Sequence, residues 1–72
     1  YSSLQEKREL LLKALQQLPD GYRMVFSLYA VDNLTHKEIA VHLGITEGTS
    51  KSQYAKAKKK LKQILESYKL PA

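Results

Sequence analysis

Residues 35–62 read THKEIAVHLGITEGTSKSQYAKAKKKLK, and this stretch decides the fold. It opens on Thr35-His36-Lys37-Glu38, the pattern of a capping box, in which the threonine oxygen accepts the Glu38 N–H and the glutamate accepts the threonine N–H. A helix is therefore expected to start at Thr35 and to run to residue 43. Its inward-facing residues are apolar: Ile39, Ala40 and Leu43. Gly44 should end it, because glycine takes a positive φ without steric cost.

A second, longer helix is predicted directly after this turn. Thr46 is a good N-cap residue, and the sequence that follows places its less polar residues at alternating spacings of four and three. These residues are Ser50, Tyr54, Ala57, Leu61, Ile64 and Tyr68. The spacing predicts a helix over residues 46–67, about 30 Å long at 1.5 Å per residue.

Two more helices are predicted upstream. Leu11, Leu15 and Leu18 recur at helical spacing and indicate a helix over residues 3–18, which Pro19 ends. Pro19 can also open the next helix, over residues 19–31. The apolar face of that helix is mostly aromatic and consists of Tyr22, Val25, Phe26 and Tyr29. Nothing alternates with a period of two, so the predicted fold is all-α, with four helices in one domain over residues 1–72.

Length and composition exclude several classes of protein. With 72 residues, the chain is too short for a two-domain enzyme, and without cysteine it has neither a disulfide framework nor a thiolate metal site. Its longest apolar runs fall far short of the ~20 residues that a membrane span requires. A cytoplasmic protein with no membrane span is expected.

The net charge is confined to one half of the chain. Residues 1–34 carry four basic and four acidic side chains, so the formal net charge of +5 belongs entirely to residues 35–72. Six lysines and no acidic residue lie between Lys51 and Lys62. Such a basic surface is typical of proteins that contact phosphates, although a solvated lysine-rich face is the simpler alternative.

A short capped helix, a glycine turn and a basic helix together indicate a helix-turn-helix over residues 35–62. The first turns of the second helix would enter the major groove and read base edges. The residues expected to read bases are Thr49, Lys51, Ser52, Gln53 and Lys56. Lys59 and Lys60, further along, are expected to contact the DNA backbone. A helical hairpin that does not bind DNA is the alternative.

The chain resembles region 4 of bacterial sigma factors of the extracytoplasmic-function (ECF) group over about two thirds of its length. The matching pieces are Leu18-Pro19 with Arg23 and Phe26, Glu38-Ile39-Ala40, Leu43-Gly44-Ile45, Gly48-Thr49, Lys51-Ser52 and Lys56-Ala57-Lys58. Each piece is weak alone, but their order and spacing are fairly specific. The sequence departs from the commonest family pattern at Ser50, where an aliphatic residue is usual, and at Gln53, where a basic residue is frequent.

The resemblance implies a domain that binds the minus-35 element of double-stranded promoter DNA. It also implies that the first two helices dock on the β flap of the RNA polymerase core, and that an anti-sigma factor can cover the same faces. Lys51, Ser52, Gln53 and Lys56 fall where such domains read the major groove.

Two other functions fit the pattern less well. A response-regulator output domain of the four-helix type shares the capped Glu-Ile-Ala helix, and a protein-interaction module could bind an acidic partner. His36 and His42 are expected to be solvent-exposed and to bind no metal. No pair of residues suggests nucleophilic catalysis, so neither enzyme activity nor a cofactor is expected.

Overall fold

The computed structural model describes residues 2–68, with side chains described from residue 5 onward. Within these residues the chain forms four α-helices and no strand, which confirms the predicted all-α class. The α-helices are α1 (Ser2–Gln16), α2 (Asp20–Phe26), α3 (His36–Leu43) and α4 (Glu47–Ser67). The two ends of the predicted domain, residue 1 and residues 69–72, lie outside the described residues.

The second helix differs from its prediction in its last five residues. It is α-helical only to Phe26, and Ser27–Val31 forms a π-helical turn. The Asp32 N–H donates to the Ser27 carbonyl over 3.1 Å, the five-residue spacing that defines a π turn. The apolar spacing predicted a helix here correctly but could not indicate its wider turn, because that spacing is interpreted with the ordinary period of 3.6 residues.

Both predicted caps of the helix-turn-helix are confirmed. The Glu38 N–H donates to the Thr35 hydroxyl oxygen over 3.1 Å, and the Thr35 N–H donates to the Glu38 carboxylate over 2.9 Å. The bond that the carboxylate accepts from the Thr35 N–H, and after it the nearby Thr35 hydroxyl, lower the pKa of Glu38 below its ordinary value of 4.5. Gly44 ends α3 with φ +68°, a left-handed conformation that glycine adopts without strain. Thr46 then caps α4 by accepting the Thr49 N–H over 2.9 Å.

The core is built around α4, which packs against every other α-helix. Its largest apolar cluster joins the end of α1 to the middle of α4: Ala14, Leu15, Leu18, Ala57 and Leu61 are all buried. Gln17 donates a side-chain hydrogen bond to the Tyr68 hydroxyl and ties the same two helices together near the end of α4. Val25 on α2 and Ile39 on α3 are also fully buried. α4 is therefore the central helix of the fold, and one of its sides faces away from the other three helices.

Candidate nucleic-acid interface

The outward side of α4 carries most of the residues that the sequence predicts as DNA contacts. At 3.6 residues per turn, Ser52, Lys56 and Lys59 fall on one face, opposite the buried Ser50, Ala57 and Leu61. Lys51 and Lys60 lie on the two flanks of that face. Five of the seven predicted contact residues are exposed: Lys51, Ser52, Lys56, Lys59 and Lys60. The fold thus brings them together on one accessible surface, called the basic face below.

Thr49 lies at the edge of the basic face and is half-buried. Its hydroxyl oxygen accepts a hydrogen bond from the Thr46 hydroxyl over 2.8 Å, while its N–H completes the cap. A hydroxyl that accepts in this way can still donate its own hydrogen. Thr49 is therefore held in one place at the start of α4, where a phosphate or a base edge can accept from it.

Gln53 points away from the basic face. Its side chain is half-buried, and its carboxamide oxygen is shielded from solvent with no hydrogen-bond partner among the described residues. The same oxygen lies beside Gly21, where a Cβ would meet it at 3.5 Å. In the structure Gln53 packs between α4 and the start of α2, and it reaches a base only if its side chain turns outward.

The inner side of the same turns is held by a polar contact. Ser50 is completely buried, and its hydroxyl oxygen lies 2.8 Å from Nδ1 of His36, the first residue of α3. The imidazole ring stacks on Tyr29, with ring centroids 4.3 Å apart and ring planes 12° from parallel. His36 is half-buried and not fully exposed as expected, because one face of its ring lies on Tyr29 and its Nδ1 meets Ser50. His42 is exposed, as expected.

Tyr54 completes an aromatic cluster on this inner side. Its ring centroid lies 4.5 Å from that of Tyr29 and 5.7 Å from those of both Phe26 and His36. The ammonium group of Lys58 lies 5.1 Å from the centre of the Tyr54 ring, within the range of a cation–π contact. Tyr54 thus packs between helices, and Lys58 is turned partly toward this cluster.

Within the part of the chain that the structure describes, no carboxylate forms a salt bridge with a lysine of the basic face. Among the described residues the only salt bridge joins Arg23 to Asp20 on α2, at 2.6 Å. Hence none of the α4 lysines is paired with a carboxylate within that part of the chain. Unpaired cations that share one surface repel each other, and a polyanion relieves this repulsion when it binds.

Residues 2–68 contain neither a cluster of metal ligands nor a helix that could span a membrane. Over residues 2–68, no three histidine, cysteine, aspartate or glutamate side chains come together as metal ligands would. None of the helices in that range has the length and apolar character needed to span a bilayer.

A capped α3, a left-handed glycine turn and an α4 with an exposed basic face define a helix-turn-helix domain, a class of DNA-binding module. The chain matches the family model described as "Sigma-70, region 4" over residues 8–61, which is 54 of its 72 residues. It therefore belongs to the sigma-70 region 4 family, and the predicted resemblance is confirmed.

The chain is also similar to an individual sigma factor over most of its length. The chain is 34% identical over 59 residues to the "ECF RNA polymerase sigma factor SigM" of Bacillus subtilis (strain 168). The alignment covers 82% of this chain but 36% of that protein, so the chain spans little more than a third of its relative's length. No solved structure matches significantly. Neither match favours a response-regulator output domain.

Proposed function

We propose that this chain is the promoter-recognition domain of an ECF sigma factor and binds the minus-35 element of double-stranded DNA. The observation that carries the proposal is the basic face, which stands on the second helix of a helix-turn-helix in a region 4 domain. The domain acts by binding, not by catalysis. It directs RNA polymerase to a set of promoters in the bacterial cytoplasm.

Base reading belongs to the first turns of α4, as in other helix-turn-helix domains. We assign it to Thr49, Lys51, Ser52 and Lys56. Lysine can donate to the guanine acceptors O6 and N7, and serine or threonine can contact either bases or phosphates. Gln53 can bond adenine through two atoms, but only after its carboxamide leaves Gly21.

Lys59 and Lys60 lie about one turn beyond Lys56 on α4 and serve to position the domain. A lysine ammonium is a compact charge on a flexible stem, suited to phosphate oxygens that carry no sequence information. These contacts supply affinity and hold the reading turns in register with the DNA.

The polymerase contact is assigned to the first two helices. Exposed apolar side chains on these elements form no part of the core and are available to a protein partner: Leu10, Leu11, Leu12, Met24 and Val31. We propose that they dock on the β flap of the RNA polymerase core. An anti-sigma factor that covered them would compete with polymerase directly.

The proposal is tested by incubating the chain with randomised duplex DNA at low salt and sequencing the retained fraction. One short motif should be enriched. If about five lysines neutralise phosphates, log K for that motif should fall against log salt with a slope of roughly −4 to −5. Lys56→Ala should reduce the steepness by about one, whereas Lys7→Ala, on the exposed part of α1, should leave it unchanged.

Each other result contradicts part of the proposal. Retention without a motif would mean that the isolated domain does not read sequence. A complete lack of retention would favour the protein-interaction module, and a flat salt response would exclude the lysines as the source of affinity.

A further inference from the structure

The buried contact between Ser50 of α4 and His36 of α3 is polar, although an aliphatic residue is usual at position 50 in the family pattern. Ser50 is completely buried, and a buried hydroxyl is stable only when it is hydrogen-bonded. His36 Nδ1 at 2.8 Å is the partner that the structure provides. A hydrogen bond adds a directional constraint to the packing of the two helices, because it weakens steeply as its angle departs from linear.

The imidazole that makes this bond is itself fixed. Tyr29 stacks on one face of the ring at 4.3 Å, and the Tyr54 ring meets it at 61° with centroids 5.7 Å apart. Tyr29 belongs to the π turn, whose wider geometry changes the rotational register of the side chains after Phe26. Two aromatic rings thus set the plane of His36 and, with it, the direction of Nδ1.

The other end of the contact lies next to the reading turns. Ser50 immediately precedes Lys51 and Ser52 in the chain, so a rotation of α4 about its axis moves all three side chains together. The basic face and the buried hydrogen bond occupy opposite sides of the same two turns. Fixing the buried side therefore fixes the direction in which the exposed side points.

We propose that His36 is a positioning residue: its hydrogen bond to Ser50 sets the rotation of α4 and thereby the base preference of the basic face. The inference rests on the proposed DNA-binding function and adds to it a residue that does not touch DNA. Tyr29 acts one step further away, by orienting the ring.

The test compares matched substitutions in the full 72-residue chain. His36→Phe keeps an aromatic ring on Tyr29 but removes Nδ1, and Ser50→Ala removes the hydroxyl. His36→Asn keeps a polar atom near the position of Nδ1 and loses the ring. His42→Phe makes the same change at the exposed histidine of the same helix and is the control. Binding is measured to the selected duplex and to duplexes with one base pair changed, alongside thermal unfolding and the salt slope.

The expected result is a loss of discrimination without a change in salt slope. The ratio of affinities for the selected and changed duplexes should fall roughly 2- to 12-fold in His36→Phe and in Ser50→Ala, as the loss of one hydrogen bond implies. The double variant should lose little more than either single variant, because both remove the same contact. His36→Asn should keep more of this affinity ratio than His36→Phe does. The control, His42→Phe, should have the same ratio as the unsubstituted chain.

Two results would overturn the inference. If His36→Phe unfolds at a lower temperature but keeps the full affinity ratio, the contact is merely structural. If the double variant loses as much of the affinity ratio as His36→Phe and Ser50→Ala together, the two residues do not act through one hydrogen bond. Failure of the proposed function looks different: the unsubstituted chain would then prefer no duplex at all, and the inference would fall with it.

Discussion

The start and the middle of α4 are held by different kinds of contact. At its start, the Thr46 cap and the Ser50–His36 hydrogen bond are directional, and the rings of Tyr29 and Tyr54 lie against His36. In the middle, Ala57 and Leu61 pack against apolar residues of α1 and of the turn after it. The comparison teaches that the start of α4, to which base reading is assigned, is fixed in angle, whereas its middle is fixed mainly by buried area.

The largest loss of stability is expected when the apolar cluster between α1 and the middle of α4 is disrupted. Leu61 is 5% exposed, and Leu61→Ala should lower the free energy of unfolding by about 2–5 kcal/mol through lost burial and the cavity left behind. A domain of this size is stable by only roughly 4–11 kcal/mol, so the loss should be visible as a large shift in the urea midpoint measured by circular dichroism.

The control for Leu61 is another leucine of the same chain. Leu12 is 53% exposed on α1, and Leu12→Ala should change the free energy of unfolding by less than about 0.5 kcal/mol. Equal losses from the two substitutions would show that the cluster between α1 and α4 does not support the fold.

A smaller loss of stability is expected when the cap at the start of α4 is removed. Thr46→Ala removes the oxygen that accepts the Thr49 N–H and should cost about 1 kcal/mol of unfolding free energy. Thr46→Ser retains that oxygen and should cost much less. Both free energies are measured by urea unfolding. Equal losses in Thr46→Ala and Thr46→Ser would contradict the assignment of the Thr46 oxygen as the cap of α4.

The smallest effect concerns the capping box of α3 and depends on pH. Because the pKa of Glu38 is lowered in the folded chain, its ionised form stabilises the fold. That contribution is complete above the ordinary value of 4.5 and disappears as the pH falls through the lowered folded value. Glu38→Gln should therefore lose less thermal stability between pH 6 and pH 3 than the unsubstituted chain does.

The matched variant for Glu38 is Glu66→Gln, near the end of α4 and outside the capping box. It should show a larger loss on acidification than Glu38→Gln shows. If both variants lose the same thermal stability between pH 6 and pH 3, ionisation of Glu38 in the capping box does not contribute to the pH dependence of stability.

The same division explains what the sequence could predict. The caps at Thr35 and Thr46 and the turn at Gly44 depend on residues within four positions of each other, so local chemistry was enough to find them. The apolar spacing likewise predicted all four helices and the buried stripe of α4. The outward position of Lys51, Ser52 and Lys56 followed from that stripe, because a helix has a fixed period.

The contacts missed by sequence analysis join residues that are far apart in the chain. His36 and Ser50 are 14 residues apart, and nothing in either neighbourhood indicates that they meet. The inward turn of Gln53 toward Gly21 depends on how α2 crosses α4, which local spacing does not fix. The unusual serine at position 50 was the only available sign, since a polar residue within an apolar stripe requires a partner.

The claim that only the start of α4 reads sequence is tested most directly by comparing Lys51→Ala with Lys60→Ala. Each variant is titrated against the selected duplex and every single-base-pair change of it, at one salt concentration. Lys51→Ala should relax the preference at one or two positions by about 1–3 kcal/mol, whereas Lys60→Ala should weaken binding to all duplexes nearly equally. Identical changes in base preference from both variants would contradict the account.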